Sequence, residues 1–74
     1  MEKILVLGMG KVGSLVGVLL SKNFKITALD HKKPHYDYTL PFECIEGNVT
    51  DTIFLRELMQ NYDAVVSALP YFLN

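Results

Sequence analysis

The chain has 74 residues, of which 50% are hydrophobic and 20% are charged, and its formal net charge is −1. This length allows one small domain, and the composition is typical of a folded core rather than of a disordered segment. The near-neutral charge excludes a general nucleic-acid binder, because affinity for the phosphate backbone requires clustered lysines and arginines. The single cysteine, Cys44, excludes an internal disulfide and fits a reducing compartment.

The N-terminal apolar segment is short. Ile4 to Leu7 are the only consecutive apolar residues before the first glycine, too few for a secretory signal or a membrane span. We therefore expect residues 1–74 to form a single domain that is cytoplasmic and does not associate with membranes.

The first half of the chain predicts a strand, a helix and a second strand. Ile4 to Leu7 is continuously apolar, as in a parallel strand that is buried on both faces. Apolar residues spaced by three and four then predict a helix that ends near Lys22 and Asn23. The residues expected to pack this helix on the sheet are Val12, Leu15, Val16, Leu19 and Leu20. Phe24 to Leu29 is rich in aromatic and branched residues and reads as the second strand, ending at Asp30.

The second half of the chain also predicts a strand, a helix and a strand, after a predicted loop at residues 31–39. Phe42 to Glu46 is a short third strand, and Ala64 to Ala68 is the fourth. Between them a helix is predicted from Thr52 to Asn61, with Thr50 or Asp51 as its N-cap and an apolar face of Ile53, Leu55, Leu58 and Met59. The order predicts an α/β fold, a Rossmann-type parallel sheet of four strands in the order 3-2-1-4 with two main helices, which is a truncated doubly wound fold.

A glycine-rich loop joins the first strand to the first helix. Glycines at 8, 10 and 13 allow a sharp turn, a close approach of a pyrophosphate to the backbone, and tight packing of helix on strand. The N–H groups and the dipole of the first helical turn favour phosphate binding. The candidate cofactor contacts in this loop are Gly8, Met9, Gly10, Lys11, Val12 and Gly13.

An acidic residue, Asp30, ends the second strand. It follows the first glycine of the loop, Gly8, at about the 20-residue spacing expected for a ribose-binding acid. Its carboxylate is expected to accept hydrogen bonds from the adenosine ribose and to repel a 2′-phosphate, which favours NAD over NADP. The next residues, His31, Lys32 and Lys33, leave NADP open, since a cation there would neutralise a 2′-phosphate. The alternative is an ordinary run of solvated charges. His31 is also a candidate cofactor contact.

The other two strands end in further candidate contacts, because ligands of this fold bind at the carboxyl ends of the strands. Asn48 and Val49 are expected near the adenine. Ala68, Leu69 and Pro70 are expected near the ribose and nicotinamide. For both turns the alternative is a plain connection without a ligand.

The sequence predicts neither a catalytic group nor a metal site. Cys44 lies inside a predicted strand, where a core role is favoured over a nucleophilic one. His31 and His35 have no cysteine or acid at the spacing of metal ligands.

Four segments resemble the N-terminal Rossmann portion of the saccharopine dehydrogenase family, which includes saccharopine reductases and lysine dehydrogenases. The matching residues are KILVLGMGKVGSLV, Asp30, the GNVTD turn at residues 47–51 and YDAVVSALPYFLN at residues 62–74. The resemblance implies NAD(P)-dependent oxidoreduction at the carbon–nitrogen bond of an amino acid. It also implies cofactor contacts at Gly8, Gly10, Gly13, Asp30 and the Ala68-Leu69-Pro70 turn.

Enzymes of this family continue into a substrate domain that carries the acid–base residues. We therefore expect this chain to be a fragment that is inactive alone, and to self-associate or pair with a missing C-terminal portion at the edge of its fourth strand. The alternative is a nucleotide-sensing regulatory domain of the potassium channel and transporter type. Such domains share the glycine loop and the acid, but they do not usually place a proline directly after the fourth strand, as Leu69-Pro70 does. A remnant that binds nothing is a third alternative.

Overall fold

The computed structural model describes residues 2–32 and 40–69. Its elements in chain order are β1 (Lys3–Leu7), α1 (Lys11–Leu20), β2 (Lys25–Asp30), β3 (Glu43–Glu46), α2 (Thr52–Met59) and β4 (Ala64–Ser67). Each of the four strands differs from its predicted range by one residue at one end. Most of the predicted loop at 31–39 lies outside the described residues, and so do Lys33, His35 and Pro70.

The four strands form one parallel sheet in the order β3-β2-β1-β4, which confirms the predicted topology. Leu7 at the end of β1 pairs in register with Leu29 of β2 and with Ser67 of β4. Asp30 pairs in turn with Glu46 of β3. The carboxyl ends of all four strands therefore meet at one edge of the sheet.

The sheet separates two hydrophobic cores. Ile4 and Val6 of β1 belong to the core on the α1 side, whereas Leu5 and Leu7 belong to the core on the α2 side. Leu5 and Val6 are both fully buried, although they point to opposite faces. This two-sided burial explains why the strand is a continuous apolar run rather than an alternating one.

Helix α1 packs through only part of its predicted face, since Leu20 contacts the core on the α1 side and Val16 is half-buried. It ends at Leu20, before the predicted Lys22, and Val12, Leu15 and Leu19 are 64%, 60% and 53% exposed. The buried positions are the two glycines of the helix, Gly13 and Gly17. The prediction for these three apolar side chains was wrong because a glycine face allows a closer approach to the sheet than a leucine face does.

Phe42 occupies the space that Gly17 leaves. A Cβ atom on Gly17 would lie 2.7 Å from Cζ of the Phe42 ring, closer than non-bonded atoms approach. Phe42 itself packs against the core on the α1 side. The mid-helix glycine is therefore needed for packing, which offsets its cost of about 1 kcal/mol in helix propensity.

Helix α2 ends at Met59, two residues before the predicted end, and its N-cap is Asp51, one of the two predicted candidates. Leu55 and Leu58 pack on the sheet as expected, but Ile53 is 71% exposed and Phe54 takes its place in the core. The Phe54 ring lies against Gly47, where a Cβ atom would come within 2.6 Å of ring atom Cε2. Met59 is also exposed, so half of the predicted apolar face was wrong.

Neither helix within the described ranges has the length and apolar character needed to cross a bilayer.

Candidate nucleotide-binding site

A groove of about 920 Å³ lies at the edge where the four strands end. Its volume is within the range of pockets that hold small ligands and cofactors. The residues that line it come from the glycine loop, the start of α1 and the segments that follow β2, β3 and β4: Gly10, Lys11, Val12, Asp30, His31, Val49, Thr50, Ser67, Ala68 and Leu69. Most of the predicted cofactor contacts are thus brought together on one surface.

The glycine loop makes the turn that its sequence predicts. Gly8 is buried with a φ of 95°, a left-handed conformation that a residue with a side chain rarely adopts. Its N–H donates a hydrogen bond of 2.8 Å to the carbonyl of Leu29, which ties the loop to β2. Gly13 lies so close to this turn that a Cβ atom on it would come within 2.8 Å of the Gly8 carbonyl carbon. Gly8 and Gly13 therefore shape the loop without lining the groove.

Gly10 faces open space at the start of α1. A Cβ atom on Gly10 would meet no other atom within 4 Å, so a ligand can approach the backbone there. Gly10 is the N-cap of α1, where no side chain caps the helix and the first turn contains no acidic residue. The first N–H groups of a helix have no partner within the helix and carry partial positive charge. This arrangement fits the diphosphate of a dinucleotide.

Asp30 is held by donors from two segments. Its Oδ2 atom accepts a hydrogen bond of 2.7 Å from the Met9 N–H in the glycine loop. Its Oδ1 atom accepts one of 2.7 Å from the His31 N–H and lies 2.7 Å from Nδ1 of the His31 ring. The Asp30 side chain is 18% exposed, whereas that of His31 is 83% exposed.

These contacts set the ionisation of Asp30. Burial raises the pKa of this carboxyl, but hydrogen bonds from the Met9 and His31 N–H groups, with the His31 ring, outweigh burial and hold the pKa below its ordinary value. Asp30 is therefore a carboxylate at neutral pH, with its charge directed at the loop and at His31.

The loop after β3 is braced by Asn48. Its Oδ1 atom accepts hydrogen bonds from the Thr50 N–H at 2.9 Å and from the Thr50 hydroxyl at 2.7 Å. Val49 and Thr50 line the groove, whereas Asn48 does not. Of the two residues predicted near the adenine, Val49 borders the groove and Asn48 shapes the turn that presents it.

The segment after β4 lies against the glycine loop. The Ala68 N–H donates a hydrogen bond of 2.8 Å to the Leu7 carbonyl, which extends the sheet past Ser67. A Cβ atom on Gly8 would lie 3.1 Å both from the Ala68 carbonyl oxygen and from Cδ2 of Leu69, so these residues close one wall of the groove. The third residue of the predicted turn, Pro70, is outside the described ranges.

Sequence reasoning missed two groove residues with hydroxyl groups, Thr50 and Ser67. Each is adjacent in sequence to a predicted contact, Val49 or Ala68. Only their position at the carboxyl edge of the sheet, not a motif, distinguishes them. Cys44 packs against the core on the α1 side, where it was expected.

Comparison with known proteins supplies the family. Residues 4–74 match the family model described as the saccharopine dehydrogenase NADP binding domain. Searches of curated proteins and of solved structures gave no significant match. The family match spans nearly the whole chain and agrees with the first of the two families considered from the sequence. The chain therefore belongs to the family of saccharopine dehydrogenase NADP-binding domains, and its cofactor is a nicotinamide dinucleotide, NADP in particular.

Proposed function

We propose that this chain is the NAD(P)-binding module of a saccharopine dehydrogenase-like oxidoreductase that acts on the carbon–nitrogen bond of an amino acid. The observation that carries the cofactor role is the groove itself, which joins the uncapped start of α1 and the open space at Gly10 to the ends of β2 and β4. Family membership supports the nicotinamide chemistry, in which the bound cofactor accepts or donates a hydride.

The groove suggests which residues bind each part of the cofactor. The diphosphate is proposed to bind at Gly10 and the first turn of α1, where Lys11 adds a positive charge at the groove wall. The adenosine half is proposed to lie between His31 and Val49. The nicotinamide half then lies towards Ala68 and Leu69, along the end of β4.

The module is proposed to be inactive alone. A redox reaction at a carbon–nitrogen bond requires groups that bind the amino acid and move protons at the reacting atoms. Among the described groove residues, the ionisable side chains are Lys11, Asp30 and His31, and we assign all three to binding the cofactor or to shaping its site. The substrate-binding and acid–base residues are proposed to belong to a separate catalytic portion that completes the enzyme.

Calorimetric titration of the 74-residue chain with NADP⁺, NAD⁺ and ATP tests the binding role. We expect both dinucleotides to bind, with a Kd in about the millimolar range because the proposed catalytic portion contributes no contacts to the titrated chain, and ATP to bind less tightly. Absence of heat with both dinucleotides at millimolar concentration would contradict the proposal. Tighter binding of ATP than of either dinucleotide would support the regulatory-domain alternative instead.

Self-association is a separate proposal. Three exposed apolar side chains, Val12, Leu15 and Leu19, lie on α1, and β4 has a neighbouring strand on only one side within the described sheet. Apolar surface and an open strand edge both favour association with a second copy. Light scattering should show a concentration-dependent mass that Leu15→Glu lowers, with the exposed polar site Gln60→Glu as the control. A monomer at all concentrations would contradict the proposal.

A further inference from the structure

We propose that Asp30 is a positioning residue, whose carboxylate holds the glycine loop in its phosphate-binding shape rather than binding the ribose of the cofactor. The inference rests on the proposed binding role of the groove. It reassigns the acid that the sequence places at the ribose.

Two hydrogen bonds tie the glycine loop to the end of β2. One is the backbone bond from the Gly8 N–H to the Leu29 carbonyl, at 2.8 Å. The other is the bond from the Met9 N–H to Oδ2 of Asp30, at 2.7 Å. Met9 is only 4% exposed, and its side chain packs in the core on the α1 side. Core packing therefore holds its side chain, while Asp30 holds its backbone N–H. Gly10 follows Met9 directly and is the N-cap of α1. The position of this helix start therefore depends on the hydrogen bond between Met9 and Asp30.

The lone pairs of Asp30 are largely occupied. A carboxylate offers about four acceptor positions, two on each oxygen. The His31 N–H and the His31 ring lie at hydrogen-bond distance from Oδ1, and the Met9 N–H uses one position on Oδ2. About one position remains, so a ribose hydroxyl would have to share Oδ2 with the Met9 N–H or displace the His31 ring from Oδ1.

The same contacts bear on the choice of cofactor. A free carboxylate at the end of β2 would repel the 2′-phosphate of NADP. Here the N–H groups of Met9 and His31 point at the Asp30 oxygens and partly screen its negative charge, and the exposed His31 ring stands beside the carboxylate at the groove wall. A tethered Asp30 is therefore compatible with the NADP cofactor of the family, which a free ribose-binding acid would disfavour.

Two neutral variants separate the two roles. Asp30→Asn and Asp30→Ala both remove the charge, but only asparagine keeps an oxygen that accepts the Met9 N–H. Titrations with NADP⁺ and NAD⁺ should show both cofactors bound about three- to tenfold more weakly by Asp30→Ala than by Asp30→Asn, as expected for one hydrogen bond. Equal affinities of the two variants would overturn the proposal. So would a difference confined to NAD⁺, because only NAD⁺ carries a free 2′-hydroxyl on its adenosine ribose, where a ribose-binding acid would bind.

The tether also has a readout without any ligand. In amide NMR spectra of the wild-type chain, the Met9 and His31 N–H signals should both shift as Asp30 is protonated in acid. Asp30→Asn should keep the Met9 amide protected from hydrogen exchange and Asp30→Ala should lose that protection. A Met9 amide signal that changes neither when Asp30 is protonated nor in the Asp30→Ala variant would overturn the proposal, even if the cofactor binds. Failure of the wild type to bind either dinucleotide would instead contradict the proposed function and leave this spectral test intact.

Discussion

The two helices of this chain begin in opposite ways. At the start of α2, Oδ1 of Asp51 accepts a hydrogen bond of 3.1 Å from the Phe54 N–H, so the helix supplies its own anion. At the start of α1, Gly10 supplies no side chain and the first turn has no acidic residue. Both helices begin with N–H groups that need an acceptor. The difference shows that α2 is built for its own stability, whereas α1 leaves its start available to an anion from outside.

The position of each start in the fold supports this difference. Gly10 lines the groove at the carboxyl edge of the sheet, and Asp51 does not. A side-chain cap contributes about 1 kcal/mol to the stability of a helix. Helix α1 lacks this stabilisation at the position where a diphosphate would bind. The comparison predicts that the two helix starts respond to substitution in opposite ways.

The largest expected effect follows from giving α1 the kind of cap that α2 has. Gly10→Asp places a carboxylate at the helix start, in space that is open to a side chain, so the protein should fold with unchanged or slightly higher stability. NADP⁺ affinity should fall at least about tenfold, because the new charge occupies the N–H groups and repels phosphate. Gly10→Asn is the uncharged control and should lose less. Calorimetry with thermal melting checks both effects, and an Asp variant that binds like wild type would refute the role of Gly10.

A smaller effect is expected from pushing α1 away from the loop. Gly13→Ala adds a methyl group that collides with the carbonyl group of Gly8, so urea unfolding should show a loss of about 1–3 kcal/mol. Cofactor affinity should fall as well, because the helix start moves away from Gly8 and out of its place in the groove. The neighbouring half-buried position Ser14→Ala serves as the control, and a fully stable Gly13→Ala protein would show that the close approach is not required.

The reciprocal substitution at α2 should change stability alone. Asp51→Ala removes the cap and should cost about 1 kcal/mol in the free energy of unfolding, with no change in NADP⁺ affinity. Asp51→Ser retains a capping oxygen and should recover much of the loss. A large change in affinity for Asp51→Ala would break the distinction between the two helix starts.

The smallest effect concerns pH. Because the pKa of Asp30 is lowered in the folded protein, the stability that its contacts contribute is present above the pKa of the unfolded chain and is lost as the pH falls through the folded pKa. The difference in unfolding free energy between wild type and Asp30→Ala should therefore be larger at pH 7 than below about pH 3. Denaturant titrations at the two pH values measure it. A difference that does not depend on pH would mean that the carboxylate charge contributes nothing.

Much of the fold follows from the sequence, because its signals are local. The alternation of strands and helices predicts the sheet order, and the three glycines with the acid at Asp30 predict the location of the groove. The packed face of α1 could not be predicted in this way. The spacing of apolar residues assigns Leu15 and Leu19 to the packed face, but it does not reveal that the glycines lie closest to the sheet. The partners of Asp30 were missed for another reason. They depend on how two adjacent strands bring the Met9 N–H to the carboxylate, and no sequence spacing records that contact.

The most direct test of the central claim is an amide NMR titration of the wild-type chain with NADP⁺, which reports on both helix starts at once. Concentration-dependent shifts are expected at residues 10–13, 30–31, 49–50 and 67–69, with no change at Asp51 and Thr52. Shifts concentrated at the start of α2, or no shifts at millimolar NADP⁺, would contradict it.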